Sequence, residues 1–289
     1  MKLAILGPLK RRHEEIRLIG EAKKVFDSVS YFCIPNLTVE ITDGECFVKH
    51  KNIDLSSFDC ILPRIPRSYR TFGFTVLKIL EGKVFFPIKP ISLFYSHNKF
   101  STLLLLKENN LPVPETYLAL KRSVTENVLD EIVYPVVLKL LYGSMGRGVI
   151  FADSKQSAIT FIDTLELFKQ PIFVEEYVKN PGEDIRAYVI GDRVIASMKR
   201  IAKKNERRSN IGVGGKGIKY DIPQKIADLA CDAAGALGME ICGVDIIEGP
   251  KGPTIIETNI NAQFQGLESA TKRNVARQIV EYLKERVKK

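Results

Sequence analysis

The sequence predicts a mixed α/β protein that opens with a doubly wound α/β lobe, and three observations carry that prediction. Apolar runs of strand length alternate with a charged helical stretch over roughly the first ninety residues. The middle of the chain sets apolar runs around a helical stretch near Gln156 to Phe168. Near the end, two runs rich in β-branched residues, GVDII and TIIETN, read as buried strands although they carry Asp245, Glu257 and Asn259.

KLAILG, VSYFCIP and FDCILPR are the strands of the first lobe, with the helical segment from Arg11 to Phe26 between the first two. FFPIKPISLF (85–94) holds two prolines, breaks the periodicity and reads as a connection. From Ser96 to Asn109, Leu and Phe recur at helical spacing, with Ser96 as the expected N-cap. Strands then fall in LPVPETYLAL, YPVVLKLL, GVIFAD and QPIFVEEYV, and DIRAYVIGDRVIASMKRIA reads as a hairpin turned at Gly191 and Asp192. A glycine-rich loop leads to a helix from about Pro223 to Leu237 and then to the acid-bearing strands. These are joined by EGPKGP (248–253), which suits a reversal and makes the two strands antiparallel neighbours. A helix from about Asn274 to Val287 follows. The expected divisions are 1–95, 96–173 and 174–289.

With 45% hydrophobic residues, the 289-residue chain can bury a sizeable core in two or three lobes. No segment approaches the roughly 20 apolar residues that cross a bilayer, and MKLAILGP is too short for a signal peptide, so a cytoplasmic protein with no membrane partner is expected. Cys33, Cys46, Cys60, Cys231 and Cys242 form no Cys-x-x-Cys pair, which argues against a zinc site and a disulfide framework. The net charge of +9 favours acidic partners, whether nucleotides, polyanionic cofactors, acidic peptides or nucleic acid. Basic residues cluster at 10–15, 63–70 and 199–208, without the interleaved aromatics of a base-stacking platform. His13, His50 and His97 are expected at the surface, and no Ser/His/Asp or Cys/His set stands out.

The acids define the chemistry. Desolvating an ionised carboxylate costs several kcal/mol unless it is offset, so two acids and an amide on neighbouring strands suggest a hard cation such as magnesium, and hence phosphate chemistry. The alternative is that each acid is a strand-end cap or ion-pair partner. Positions two apart on a strand share a face, so Asp245, Glu257 and Asn259 can converge. Lys139, in an apolar strand, is followed by YGSMGRGV (142–149), whose glycines let backbone N–H groups approach phosphate oxygens. This is no Walker sequence, and a hairpin with a snorkelling lysine would look the same. PIFVEEYV ends with backbone able to bond an adenine edge, and Arg186, Lys199, Arg200, Arg208 and Asn210 add fixed donors before the acid-bearing strands.

KLLYGSMGRGV, EEYV, DIRAYVIGDRVIASMKRIA, RRSNIGVGGK, GVDII and ETNINA stand in the order and spacing of the ATP-grasp ligases, and DIR followed by RSN resembles the RimK-like branch, in an archaeal-type form. The resemblance spans about residues 96–289. It implies an ATP-grasp fold, two α+β lobes clamping ATP behind the N-terminal α/β lobe, and amide formation through an acyl-phosphate. It further implies Lys99 and Lys139 on the phosphates, a mobile flap holding Gly143, Ser144, Met145 and Gly146, and adenine against Glu175, Glu176, Tyr177 and Val178. Asp184 would lie near the nucleotide, Arg208, Ser209 and Asn210 would face the transferred phosphoryl group, and Asp245, Glu257 and Asn259 would hold magnesium or manganese as two ions. Arg186 and Arg208 are the candidate catalytic donors, and Asn261, Gln263 and Gln265 form an expected substrate loop. That loop departs from the Ser-Pro-Gly-like continuation of the ribosomal-protein-modifying members, which favours glutamate addition to an acidic small coenzyme over a protein tail. Family members often self-associate, so a homo-oligomer is expected. A carrier-protein or peptide ligase, and a non-enzymatic nucleic-acid binder, remain as alternative classes.

Overall fold

The computed structural model describes residues 1–143, 148–204, 206–211 and 214–288. The chain begins with β1 (Lys2–Gly7), α1 (His13–Ala22) and β2 (Ser28–Cys33). A hairpin unit follows, β3 (Thr38–Thr42), β4 (Glu45–His50) and β5 (Ile53–Asp54), then β6 (Cys60–Pro63), α2 (Arg70–Leu80) and the short α3 (Ser92–Tyr95). β1 runs parallel to both β2 and β6, in the order β2-β1-β6, as a doubly wound lobe requires. The hairpin β3-β4-β5 and helix α2 were not expected from the sequence. The proline-rich stretch is more than a connection: Phe85 bridges to Cys60, Ile88 bridges to Met239, and α3 starts at Ser92.

α4 (Lys99–Glu108) is capped by Asn98, whose Oδ1 accepts from the Ser101 N–H at 3.1 Å, and not by Ser96. The Asn98 backbone is extended, as an N-cap must be, whereas Ser96 already has helical torsions as the C-cap of α3. Next come β7 (Thr116–Ala119), α5 (Arg122–Glu131), β8 (Val136–Lys139), β9 (Val149–Ala152), α6 (Lys155–Leu167) and β10 (Ile172–Glu176). These strands form an antiparallel sheet ordered β7-β10-β8-β9, whose inner face packs on α5 and α6 through Leu129, Leu138, Ile162 and Val174. Both ends of the flap are pinned, since the Leu140 N–H donates to the Gly148 carbonyl at 2.8 Å and Gly148 takes a φ of 73° that an L side chain rarely adopts.

The last sheet is built from β11 (Glu183–Ile190), β12 (Arg193–Ile201), β13 (Lys216–Lys219), β14 (Ile241–Gly249) and β15 (Gly252–Asn259), in the order β13-β12-β11-β14-β15. Its hairpin turns at Gly191 and Asp192 and its antiparallel β14–β15 pairing match the sequence reading. α7 (Gln224–Ala236) and α4 cover one face, and α2 and α3 join them in one continuous core that reaches from Leu6 and Ile61 to Val244 and Ile255. α8 (Gln265–Thr271) and α9 (Val275–Lys288) cover the other face against α1. There Tyr188 meets Phe264 edge-on at 6.2 Å, and burying aromatic rings of this size stabilises by about 1.5–3 kcal/mol each. Among the described residues no helix is long and apolar enough to cross a membrane.

Candidate active site

The β7-β10-β8-β9 sheet and the β13-β12-β11-β14-β15 sheet face each other across a solvent-open cleft, a concave site of the kind that takes small ligands. Lys99, Lys139, Gly143, Glu175 to Val178, Asp184, Arg208, Ser209, Asn210, Asp245 and Glu257 all line it, as expected. Ser144, Met145 and Gly146 of the flap lie outside the described residues. At one end the wall is apolar and aromatic: Val137, Val149, Phe151, Tyr177, Ile247 and Ile256. Here the backbone leaves the β10 ladder after Glu176, placing Tyr177 and Val178 at the edge of this pocket. An apolar, aromatic-lined wall of this kind suits a purine ring.

The other end is charged. Lys139 of β8, which stands opposite Phe173, reaches diagonally to Glu175 of β10 and forms a buried ion pair with it. Burial drives the Glu175 carboxyl above its ordinary value, and Lys139 and Lys99 offset only part of that. Lys99, at the first turn of α4, pairs with Glu257 of β15 at 3.0 Å. Two ammonium groups, one from β8 of the central sheet and one from helix α4 beside β15, therefore converge on one end of the cleft, each paired with a carboxylate that an anionic ligand could replace.

Behind them lies a buried network. Arg186 grips Asp245 with Nε and Nη2, the latter at 2.7 Å, and Arg200 reaches Asp245 at 2.9 Å and Asp184 at 2.5 Å. Ser209 donates its hydroxyl to Asp184. Burial pushes both carboxyls up. At Asp245 the two guanidinium groups outweigh it and hold the acid well below the usual carboxylate range, while Asp184, sharing Arg200 with Asp245, stays raised. Outside this network, Arg208 holds Glu206 at 2.7 Å, and hydrogen bonds from the Arg208 side chain and backbone bring the Glu206 carboxyl down to about 2.

The β14–β15 register sets Asp245 opposite Glu257 and Gly243 opposite Asn259, so the three expected metal-binding side chains come from adjacent positions. Among the described residues no group of three His, Cys, Asp or Glu side chains gathers around one point, so a cation held here would need an oxygen from another side chain, such as the Asn259 amide. Asn259 suits that part, because its Nδ2 is buried without a hydrogen-bond partner and its amide is thus unsettled. An all-oxygen set of two carboxylates and an amide fits a small hard cation that takes its remaining oxygens from phosphates and water.

A RimK-like ATP-grasp domain model matches residues 96–283. The chain is 34% identical over 290 residues to a probable alpha-L-glutamate ligase of Rhodopirellula baltica, covering 99% of this chain and 72% of that protein. It is 33% identical over 292 residues to a probable alpha-L-glutamate ligase of Legionella pneumophila strain Corby, covering 100% and 97%. The chain belongs to the RimK-like ATP-grasp family. The ATP-grasp ligase PsnB, solved with a minimal precursor, Mg and ADP, superimposes with a TM-score of 0.77 at 18% identity over 99% of this chain and 98% of that one. D-alanine–D-alanine ligase of Bacillus anthracis, solved with ATP, does so with a TM-score of 0.71 at 13% identity over 99% and 97%. At those identities the likeness shows the fold alone.

In this RimK-like ATP-grasp ligase the remaining expected residues are scattered. Arg186 is spent on Asp245 and does not line the cleft. Asn261 points its Nδ2 at the Ile65 carbonyl, 2.6 Å away, and leaves its Oδ1 buried without a partner. Gln263 and Gln265 are exposed and outside the cleft, and Gln265 opens helix α8 where a loop was expected. His97 is half-buried rather than fully exposed: burial, with Arg67 and Arg70 adding to it, pushes the ring down to about 4, and its Nε2 is buried and unpaired. The sequence reading missed Arg207, whose guanidinium lies 5.5 Å from the Phe151 ring and 5.9 Å from the Tyr177 ring and pairs with Asp153 at 2.8 Å. Its signal was the run of two arginines before Ser209, in which only the second was given a role.

Proposed function

We propose that this ATP-grasp ligase adds L-glutamate to a carboxyl group of an acidic small-molecule coenzyme, of tetrahydromethanopterin or deazaflavin type, through an acyl-phosphate. The observation that carries the reading is the convergence of Lys99 and Lys139, from opposite walls of one cleft, on the end where Glu257 and Asp245 stand. In this reading the purine lies against Phe151, Tyr177 and Ile247, and the lysines hold the phosphates. The acceptor carboxylate oxygen attacks the terminal phosphorus in line, and the bond to the ADP oxygen breaks. The amine of glutamate then attacks the acyl carbon, loses a proton, and inorganic phosphate leaves with the former carboxylate oxygen. Magnesium, held by Asp245, Glu257 and Asn259, would supply charge withdrawal from the terminal phosphate. Arg208 is the candidate donor to the tetrahedral oxyanion, where one well-placed group is worth about 10²- to 10³-fold in rate. Arg186 would act only through the carboxylate it orients.

The glutamate assignment draws on the names of the relatives, and the small acidic acceptor on the cationic surface and the departure at residues 259–271. A second reading, ligation to an acidic peptide or carrier protein, is favoured by the precursor peptide in another structure of PsnB. The test is to incubate the protein with ATP, magnesium, single amino acids and a panel of carboxylate acceptors and to weigh the products. ADP release requiring both glutamate and a coenzyme acceptor, with one glutamyl residue gained by the acceptor per ADP, is the expected result. A mass gain only on an acidic protein would replace the acceptor, and DNA binding that weakens steeply with salt, without ATP turnover, would remove the ligase.

A further inference from the structure

β6 ends at Pro63, and Arg64, Arg67 and Arg70 follow within one short stretch at the carboxyl end of the parallel sheet. Because β1 lies between β2 and β6, the chain changes direction of winding between β1 and β6, and open α/β sheets bind ligands in the crevice at such a point. Arg64 is buried and paired with Glu15 at 3.3 Å. Arg67 and Arg70 differ: among the described residues neither has a carboxylate partner, yet both guanidinium groups are held against one aromatic ring. Their central carbons lie 4.9 Å and 5.5 Å from the centre of the Tyr142 ring, and Arg67 donates Nη1 to the Tyr142 carbonyl at 2.5 Å.

The location is informative. Tyr142 directly precedes Gly143, which lines the cleft, and both arginines act electrostatically on His97, two residues before Lys99. The pair therefore stands at the phosphate end of the cleft, on the side of the N-terminal lobe. Two cations held beside one ring repel each other, and among the described residues no acid pairs with either. An anion would, and the planar fork of arginine suits carboxylate and phosphate oxygens.

We infer that Arg67 and Arg70 form a subsite for a second anionic group of the acceptor, distinct from the carboxyl group that is activated, with Tyr142 holding the two guanidinium planes. That the bound anion belongs to the acceptor rests on the ligase reading; that the arginines bind an anion does not. The subsite makes polyanionic acceptors the preferred class and makes these two arginines determinants of specificity.

Calorimetric titration of the protein saturated with magnesium and a non-hydrolysable ATP analogue tests this, using triglutamate and the neutral triglutamine as probes. The wild type should prefer triglutamate by about tenfold or more, and Arg67→Gln with Arg70→Gln should cut that preference to within about twofold. Affinity for the ATP analogue should not change. A preference that survives the double substitution, or is absent from the wild type, overturns the subsite. ADP release across the acceptor panel is read separately, so arginine-dependent binding in a protein that makes no amide would sink the ligase reading and leave the subsite standing.

Discussion

Lys139 and Glu175 are each nearly buried, at 12% and 4% side-chain exposure, so each charge is tolerable only beside the other. Removing the lysine has two effects that must be separated. Lys139→Ala should cost about 3–5 kcal/mol in urea denaturation, because it strands a carboxyl group that burial already pushes up. It should also weaken binding of an ATP analogue by calorimetry. Adding Glu175→Gln to that variant removes the stranded acid, so stability should largely return while nucleotide affinity stays low. If affinity returned with stability, the lysine would have a structural role only. Glu257 is a cleaner probe, since it is partly exposed and, among the described residues, its ion pair is with Lys99 alone. Glu257→Gln should abolish ATP turnover and leave the circular dichroism spectrum unchanged, and normal turnover in a coupled ADP assay would remove its metal-binding role.

Elements whose signals are local were legible before the structure. The β11–β12 hairpin announces itself through Gly191-Asp192, and the β14–β15 pair through its Gly and Pro turn. The β3–β4 hairpin carries the same kind of signal at Asp43-Gly44, both with positive φ, but its strands alternate too weakly to stand out beside the core runs. α5 buries only Thr125 and Leu129, and α8 is only seven residues long, so neither imposes a strong period. What the sequence could not reveal is cross-strand register. Arg186 meets Asp245, and Arg200 meets both Asp184 and Asp245, only because β12, β11 and β14 align as they do. The same non-local logic governs α9, whose Arg286 reaches Glu240 at 2.8 Å while Tyr282 donates to it at 2.8 Å. Burial raises the Glu240 carboxyl, but these donors outweigh it and leave the value lowered. A lowered carboxyl contributes stability above its unfolded value of 4.5 and loses it as pH falls through the folded value. Glu240→Gln should therefore cost about 1 kcal/mol near pH 7, the pair being one-third exposed, and in parallel denaturation curves the cost should fade as the pH is lowered beneath 4.5 and through the lowered folded value. An equal cost at both pH values would show that packing, not charge, carries the effect.

On the scale of the whole molecule, the cleft lies between a central sheet with its own core and a C-terminal sheet whose core is shared with the N-terminal lobe. Arg207 ties the two walls, pairing with Asp153 beyond β9 while it stacks near Phe151 and Tyr177. A single exposed ion pair contributes roughly 0–1 kcal/mol, so this tie is weak. A nucleotide gripped by Lys139 on one wall and Lys99 on the other would be stronger: at a hundredfold excess over Kd, binding adds about 2.7 kcal/mol to the bound state. That energy is shared by whatever the ligand holds together. Hydrogen exchange followed by mass spectrometry should therefore slow in β8 and β10 and, by a similar factor, in β14 and β15 when an ATP analogue and magnesium are added. The β3–β4 hairpin and α9, which touch no part of the cleft, should exchange as before. Protection confined to one sheet would mean that the nucleotide does not bridge the cleft, and the two lysines would then belong to separate sites.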